Sequence, residues 1–302
     1  RGISLHEERF GAEGGRVRSA AEARALLEAA KDLGANFVRL AHYPHSEATT
    51  RLADEMGLLV WSEIPVYWDE IRYGDPATLA LARRMQAVNV DRDFNRASII
   101  LWSVANETSI SPARNAFLRR LIHDARAFDG TRLVTAALNK AQSAGNEIRI
   151  VDPLGDALDV IAVNQYEGWY GQRSPADITA VRFTSDFDKP FVFSEFGADA
   201  PRTFRAAKEV RWSADYQRWL YAQNLALFDT MPGLDGLSPW ILKDFRVPRR
   251  WHGRFQDYWN RKGLLDETGK PKLAFDTLRA WYERRAARDA AEAAVTGEAT
   301  AR

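Results

Sequence analysis

Residues 97–107 read ASIILWSVANE, an apolar run too short to span a membrane that ends abruptly in an amide and a carboxylate. Such a run reads as a buried strand of a parallel sheet, apolar on both faces, that delivers Asn106 and Glu107 to its carboxyl end. The crevice past that end is where α/β proteins place their chemistry. A second local reading stays open: Asn106 caps the next helix, and Glu107 sits in its first turn, favoured by the helix dipole. Residues 189–197, KPFVFSEFG, favour the first. They form another short β-rich run, opened by Pro190 and closed by Glu195 ahead of Phe196 and Gly197. Two strands ending in glutamates supply the pair of carboxylates that glycosidic bond cleavage requires. One holds a proton for the leaving oxygen, and the other attacks or activates water.

Outward from these two stretches the hydrophobic period alternates between strand and helix, the pattern of an α/β fold of the (β/α)8 TIM-barrel type. Strands are expected at Gly2–Leu5, Asn36–Leu40, Leu58–Trp61, Ile99–Ser103, Arg132–Ala136, Asp159–Val163, Pro190–Ser194 and Gly236–Trp240. Helices are expected at about Ala20–Leu33, Glu47–Met56, Pro76–Asp93, Pro112–Phe128, Ser213–Phe228 and Leu273–Arg285, with Gly57 and the Asp129-Gly130 pair as stops. The stretch Lys243–Lys272 is long, basic and aromatic. Loops beyond about 15 residues are uncommon unless functional, so it is expected to wall the site.

At 302 residues, one barrel of about 250 residues plus a tail accounts for the length. The expected division is residues 1–285 as a single barrel domain and 286–302 as a helical or disordered tail. Forty-two basic and 41 acidic residues leave a formal charge of +1, so bulk electrostatics draws the chain to neither nucleic acid nor an anionic membrane, and a small neutral-to-acidic ligand is expected. No cysteine is present, which excludes disulfides, thiolate metal sites and a cysteine nucleophile and leaves cytoplasm and periplasm both open. The chain opens at Arg1 directly into strand-like GISLHEE, as expected of an excised or processed piece.

Just past the expected strands stand His6 and Glu7, Arg39 and His42, Glu63, Asn106 and Glu107, Asn164 and Tyr166, Glu195, and Trp240. So many polar groups would be costly if merely buried, and a shared polar pocket explains them together.

The motifs HEE (6–8), VRLAHYPH (38–45), WSVANE (102–107), VNQYEGWY (163–170), SEFG (194–197) and NRKG (260–263) together resemble the catalytic barrel of glycoside hydrolase family 2, from Gly2 to about Tyr282. Within the family the closest likeness is to the β-glucuronidases, on VNQYEGWY and the Asn260-Arg261-Lys262 run. The resemblance implies a retaining exo-β-glycosidase in which Glu107 is the general acid/base and Glu195 the nucleophile that forms a covalent glycosyl-enzyme, with carboxyl groups about 5 to 5.5 Å apart. It implies that Arg39 and Tyr166 donate to Glu195 and that Asn106 binds the 2-hydroxyl. Trp240 would offer its face to the sugar, and His42 and Tyr170 would contact hydroxyls. Asn260 and Lys262, as the Asn-x-Lys pair, would hold the carboxylate of a uronic acid. Bland readings compete: Trp240 as core, His42 as a buried histidine satisfied by backbone, and Asn260 and Lys262 in an exposed turn. Arg246, Arg249, Arg250 and Arg254 compete as an assisting cation, and Glu7 and Glu63 read as structural partners.

A β-galactosidase shares both glutamates and is the alternative within the class. A metal-dependent hydrolase on His6, His42 and His45 is disfavoured, because His42 and His45 are spaced across Pro44 and the strand ends lack aspartates. An inactive carbohydrate-binding barrel is the third reading. Neither metal nor cofactor is expected, and a homo-oligomer is compatible with the resemblance. Family members carry a β-sandwich and an immunoglobulin-like domain before the barrel that are absent from this chain, so the face they cover is expected to expose an apolar patch.

Overall fold

A computed structural model describes residues 1–68, 71–139 and 142–300. Eight parallel strands form one sheet in chain order: β1 (Gly2–Leu5), β2 (Phe37–Leu40), β3 (Leu59–Glu63), β4 (Ile99–Asn106), β5 (Leu133–Asn139), β6 (Val160–Asn164), β7 (Phe191–Glu195) and β8 (Leu234–Leu237). The ring closes where the Ser4 amide donates to the Pro239 carbonyl at 3.1 Å and the Leu242 amide donates to the Ser4 carbonyl at 3.0 Å. This is the expected barrel.

Alternation along the strands separates two cores. Trp61, Leu101, Ala137, Val160 and Ala162 pack as one cluster with Phe37 and Val192, sharing the inward parity of Arg39 and Glu63. The other parity, including Ile3, Val38, Val60, Trp102, Val134 and Phe193, packs against the helices. Those helices are α1 (Ala20–Asp32), α2 (Glu47–Met56), α3 (Pro76–Asp93), α4 (Pro112–Phe128), α5 (Ala214–Thr230) and α6 (Leu273–Thr300). Ser19, Ser46, Asp75, Ser111 and Ser213 each cap a helix by accepting from a backbone amide of its first turn. Gly57 ends α2 with φ +67°, a conformation that costs glycine least.

The strict helix-after-strand rhythm fails after β5 and after β6. A small three-stranded sheet (Gln142–Ala144, Glu147–Ile150 and Arg182–Ser185) and a 3₁₀ turn at Pro175–Ala180 take the place of two helices. α6 continues past Arg285 to Thr300, and residues 301 and 302 of the expected tail lie outside the described residues. Val88, Phe94 and Phe128 are exposed and flank a groove where the carboxyl ends of α3 and α4 meet.

The loop after β4 is tied down by charge. Arg114, fully buried on α4, donates to both oxygens of buried Asp152 at 2.8 and 2.9 Å and to the hydroxyl of Thr108 at 2.8 Å. Arg114→Ala would strand a buried carboxylate, so a loss of about 3–5 kcal/mol is expected. Calorimetry should show it as a fall in Tm of roughly 5–10 °C.

Candidate active site

Both glutamate-bearing strands change register as they leave the sheet. β4 shifts against β5 between Ser103 and Asn106, and β7 shifts against β6 between Phe193 and Glu195. Such irregularities re-aim side chains at a barrel rim. Glu107 does not start a helix: it has φ +49°, and Ser111 caps α4 four residues later. Glu107 and Glu195 therefore face one cavity of about 510 Å³ at the carboxyl end of the barrel.

The two carboxylates meet unlike surroundings. Glu195 accepts from the Arg39 guanidinium at 2.8 Å on Oε1 and from the Tyr166 hydroxyl at 2.7 Å on Oε2. Burial and the neighbouring Glu195 charge push the Tyr166 phenol well above its ordinary value, so it stays a donor. Glu107 accepts from Asn164 Nδ2 at 2.9 Å and from Trp68 Nε1 at 2.9 Å. Burial, and then the like charge of Glu195, raise the Glu107 carboxyl above its ordinary value against those two donors.

Beneath the cavity Arg39 joins the parts. Fully buried over the Trp61 ring, it reaches Glu63 with two nitrogens at 3.1–3.2 Å and Asn106 Oδ1 at 2.8 Å. Glu63 also accepts from Trp61 Nε1 at 3.0 Å and from the Ser103 hydroxyl at 3.1 Å, and lies 2.6 Å from His42 Nδ1. Burial alone would raise Glu63, but Arg39 and His42 outweigh it and hold the carboxyl below its usual range. Asn106 Oδ1 takes a second donor, Asn164 Nδ2, at 3.0 Å. With its oxygen doubly occupied, the Asn106 amide turns its Nδ2 away from Arg39. An unbroken chain thus runs from Glu195 through Arg39, Asn106 and Asn164 to Glu107.

A scan against protein-family models matches residues 1–221 to "Glycosyl hydrolases family 2, TIM barrel domain". The chain belongs to glycosyl hydrolase family 2. Among its relatives it is 29% identical over 295 residues to a β-glucuronidase of Streptococcus agalactiae, covering 90% of this chain and 48% of that protein. It is 31% identical over 270 residues to the β-glucuronidase of Rattus norvegicus, covering 83% and 39%. Of solved structures, a β-galacturonidase from Eisenbergiella tayi bound to galacturonate superposes with TM-score 0.81 at 25% identity, over 94% of this chain and 50% of that one. A β-D-glucuronidase of Dictyoglomus thermophilum gives 0.81 at 26%, with the same coverage. The chain spans less than half the length of these two β-glucuronidase relatives and half of these structures.

Within this family-2 barrel, Asn106, Glu107, Glu195, His42, Tyr166, Tyr170, Trp240, Asn260 and Lys262 all line the one cavity, and Arg39 lies directly under it. His42 stacks flat on Trp240, with centroids 4.8 Å apart, and bonds Glu63 rather than a backbone carbonyl. His6 and His45 turn to other partners, the Tyr43 hydroxyl at 2.8 Å and the Ala41 carbonyl at 3.4 Å, and burial lowers them to about 3 and about 4. Both are therefore neutral at pH 7. Glu7 is spent on the amino end of α2, accepting from the Ser46 amide and the Thr49 hydroxyl.

The long loop does wall the site. A two-residue ladder of Phe245–Arg246 with Trp259–Asn260 folds it back over the rim. Lys262 is not the solvated lysine of an exposed turn. It is buried, its ammonium bonds the buried carboxylate of Asp199, and it lies 4.8 Å from the centre of the Tyr170 ring. Of the competing arginines, Arg246, Arg249 and Arg250 line the cavity, whereas Arg254 lies over Phe204 and Phe255. Arg250 reaches the Tyr170 hydroxyl at 3.3 Å. Sequence reasoning missed Trp68 and also Asp199, which sits neither at an expected strand end nor in a periodic run. Trp68 could be found only as the aromatic of the strand-three exit SEIPVYW.

Proposed function

We propose that this barrel performs the chemistry of a retaining exo-β-glycosidase that hydrolyses β-D-glucuronides through a covalent glycosyl-enzyme, with Glu195 as nucleophile and Glu107 as acid/base. The observation that carries the reading is two glutamates in one cavity with opposite environments. Glu195 accepts on both oxygens, as an attacking carboxylate would, while Glu107 is desolvated beside a like charge, as a proton donor would be. In the first step Glu195 bonds to the anomeric carbon as Glu107 protonates the departing oxygen. In the second, Glu107 takes a proton from water, which attacks the same carbon and frees Glu195. The Asn106 Nδ2 is the donor for the 2-hydroxyl, a contact that strengthens as positive charge develops on the ring.

A uronide is supported by the cations around Tyr170. Asp199 bonds Lys262 and also faces Arg250, so this one carboxylate stands against two cations and a positive charge is left over beside Tyr170. Lys262 and Asn260 then orient the carboxylate, and Arg250 supplies the charge that selects it. Arg250→Gln is expected to raise KM for p-nitrophenyl β-glucuronide about 10–100-fold, the worth of one hydrogen bond to a charged group. KM for the β-galactoside should hardly change. Equal losses on both would remove the uronide argument. The likeness to a β-galacturonidase bound to galacturonate makes the C4 epimer the second reading. A panel of β-glucuronide, β-galacturonide and β-galactoside ranks the three. Proton NMR of the first-formed sugar should show the β anomer; the α anomer would mean inversion and sink the double displacement.

A further inference from the structure

Trp68 has φ +57°, and Glu107, the residue its side chain reaches, has φ +49°. Bulky residues adopt this left-handed region rarely, and such conformations persist only where surrounding bonds dictate them. Those bonds are present. The chain leaving β3 lies alongside the end of β4, where the Asn106 amide donates to the Val66 carbonyl at 2.9 Å and the Trp68 amide donates to the Asn106 carbonyl at 3.0 Å. The Tyr73 hydroxyl holds the Trp68 carbonyl at 3.0 Å. All of this leaves the indole 43% exposed and aimed into the cavity, with Nε1–H 2.9 Å from Glu107 Oε2. An indole so exposed adds little to the core. Its one polar atom is spent on the carboxylate.

We infer that Trp68 is a positioning residue for the acid/base, a donor that fixes the rotamer of Glu107 and favours its carboxylate form, which the first half-reaction leaves and the second uses as its base. The inference rests on the acid/base reading of Glu107. An indole N–H can only donate, so it opposes the burial and the Glu195 charge that favour the protonated form. Asn164 from β6 donates to the other oxygen, and among the described residues the charged or titratable groups facing Glu107 are Glu195 at the end of β7, His42 after β2 and Tyr166 after β6.

The test is the pH profile of kcat/KM for Trp68→Phe, which keeps an aromatic ring and deletes the donor, measured with phenyl and 2,4-dinitrophenyl β-glucuronides. Activity on the phenyl glycoside needs protonated Glu107. Losing a donor that stabilises the anion therefore moves the alkaline limb to higher pH, by about half to one unit for a partly exposed bond. The dinitrophenyl glycoside, whose leaving group needs no proton, should stay within about threefold at pH 5–6. A limb that stays put or moves down, or an equal fall on both substrates at every pH, overturns the inference. Trp68→Leu serves if the Phe variant does not fold. Failure of the underlying reading looks different: Glu107→Gln would then still hydrolyse the phenyl glycoside at near the parent rate, whatever Trp68 does.

Discussion

Glu195→Ala is expected to reduce turnover of any β-glucuronide by about 10⁴-fold or more, since no other carboxylate can take the place of the attacking atom. Glu63 is sealed under the cavity by Arg39, His42, Trp61 and Ser103, and Glu107 is held by Asn164 and Trp68. The loss should be catalytic rather than structural. Burial alone would weaken the Arg39 charge, yet Glu63 and Glu195 together hold its pKa above the ordinary value. Without Glu195 the guanidinium keeps its contacts to Glu63, so it is not left as an isolated buried charge. A Tm within a few degrees of the parent together with lost turnover is the expected pair of results. Added azide should restore part of the rate on an activated glycoside by attacking in place of the missing carboxylate. Unchanged turnover in Glu195→Ala would end the assignment.

What could be read in advance follows from where periodicity exists. The strand ends were legible because a barrel strand is apolar on both faces until it meets the cavity, so the break from ILWSVA to Asn106-Glu107 and from FVFS to Glu195 marks the rim. Helices α2 and α4 carry signals at both ends, Ser46 with Gly57 and Ser111-Pro112 with Asp129-Gly130, whereas α3 carries one only at its start, Asp75-Pro76. The segment after β5 carries neither signal. Its short strand Glu147–Ile150 pairs in parallel with Arg182–Ser185, a partner 35 residues downstream that no local pattern specifies. The same limit hid the fate of Lys262. The motif named the lysine, but its partner Asp199 comes from the turn after β7, so the ion pair between them exists only in three dimensions.

Glu107→Gln should separate substrates rather than silence the enzyme. On phenyl β-glucuronide, whose leaving oxygen must be protonated as the bond breaks, a fall of about 10²–10⁴-fold is expected. On 2,4-dinitrophenyl β-glucuronide the first step should proceed nearly unaided and the glycosyl-enzyme should accumulate, because water attacking Glu195-bound sugar has lost its base. A burst of nitrophenolate followed by slow turnover is the visible sign. The pH behaviour follows from the same group. Burial, and then the Glu195 charge, favour protonated Glu107, so the acid survives to a pH above the ordinary carboxylate range, and kcat/KM on the phenyl glycoside falls only as pH rises through that elevated value. The amide introduced by Glu107→Gln cannot titrate. The alkaline limb should therefore vanish from the variant's profile, leaving a flat, low rate that no change of buffer recovers. A variant that kept the parent's limb would place the titrating acid elsewhere, and a uniform fall across both leaving groups would make Glu107 a binding residue instead of the proton donor.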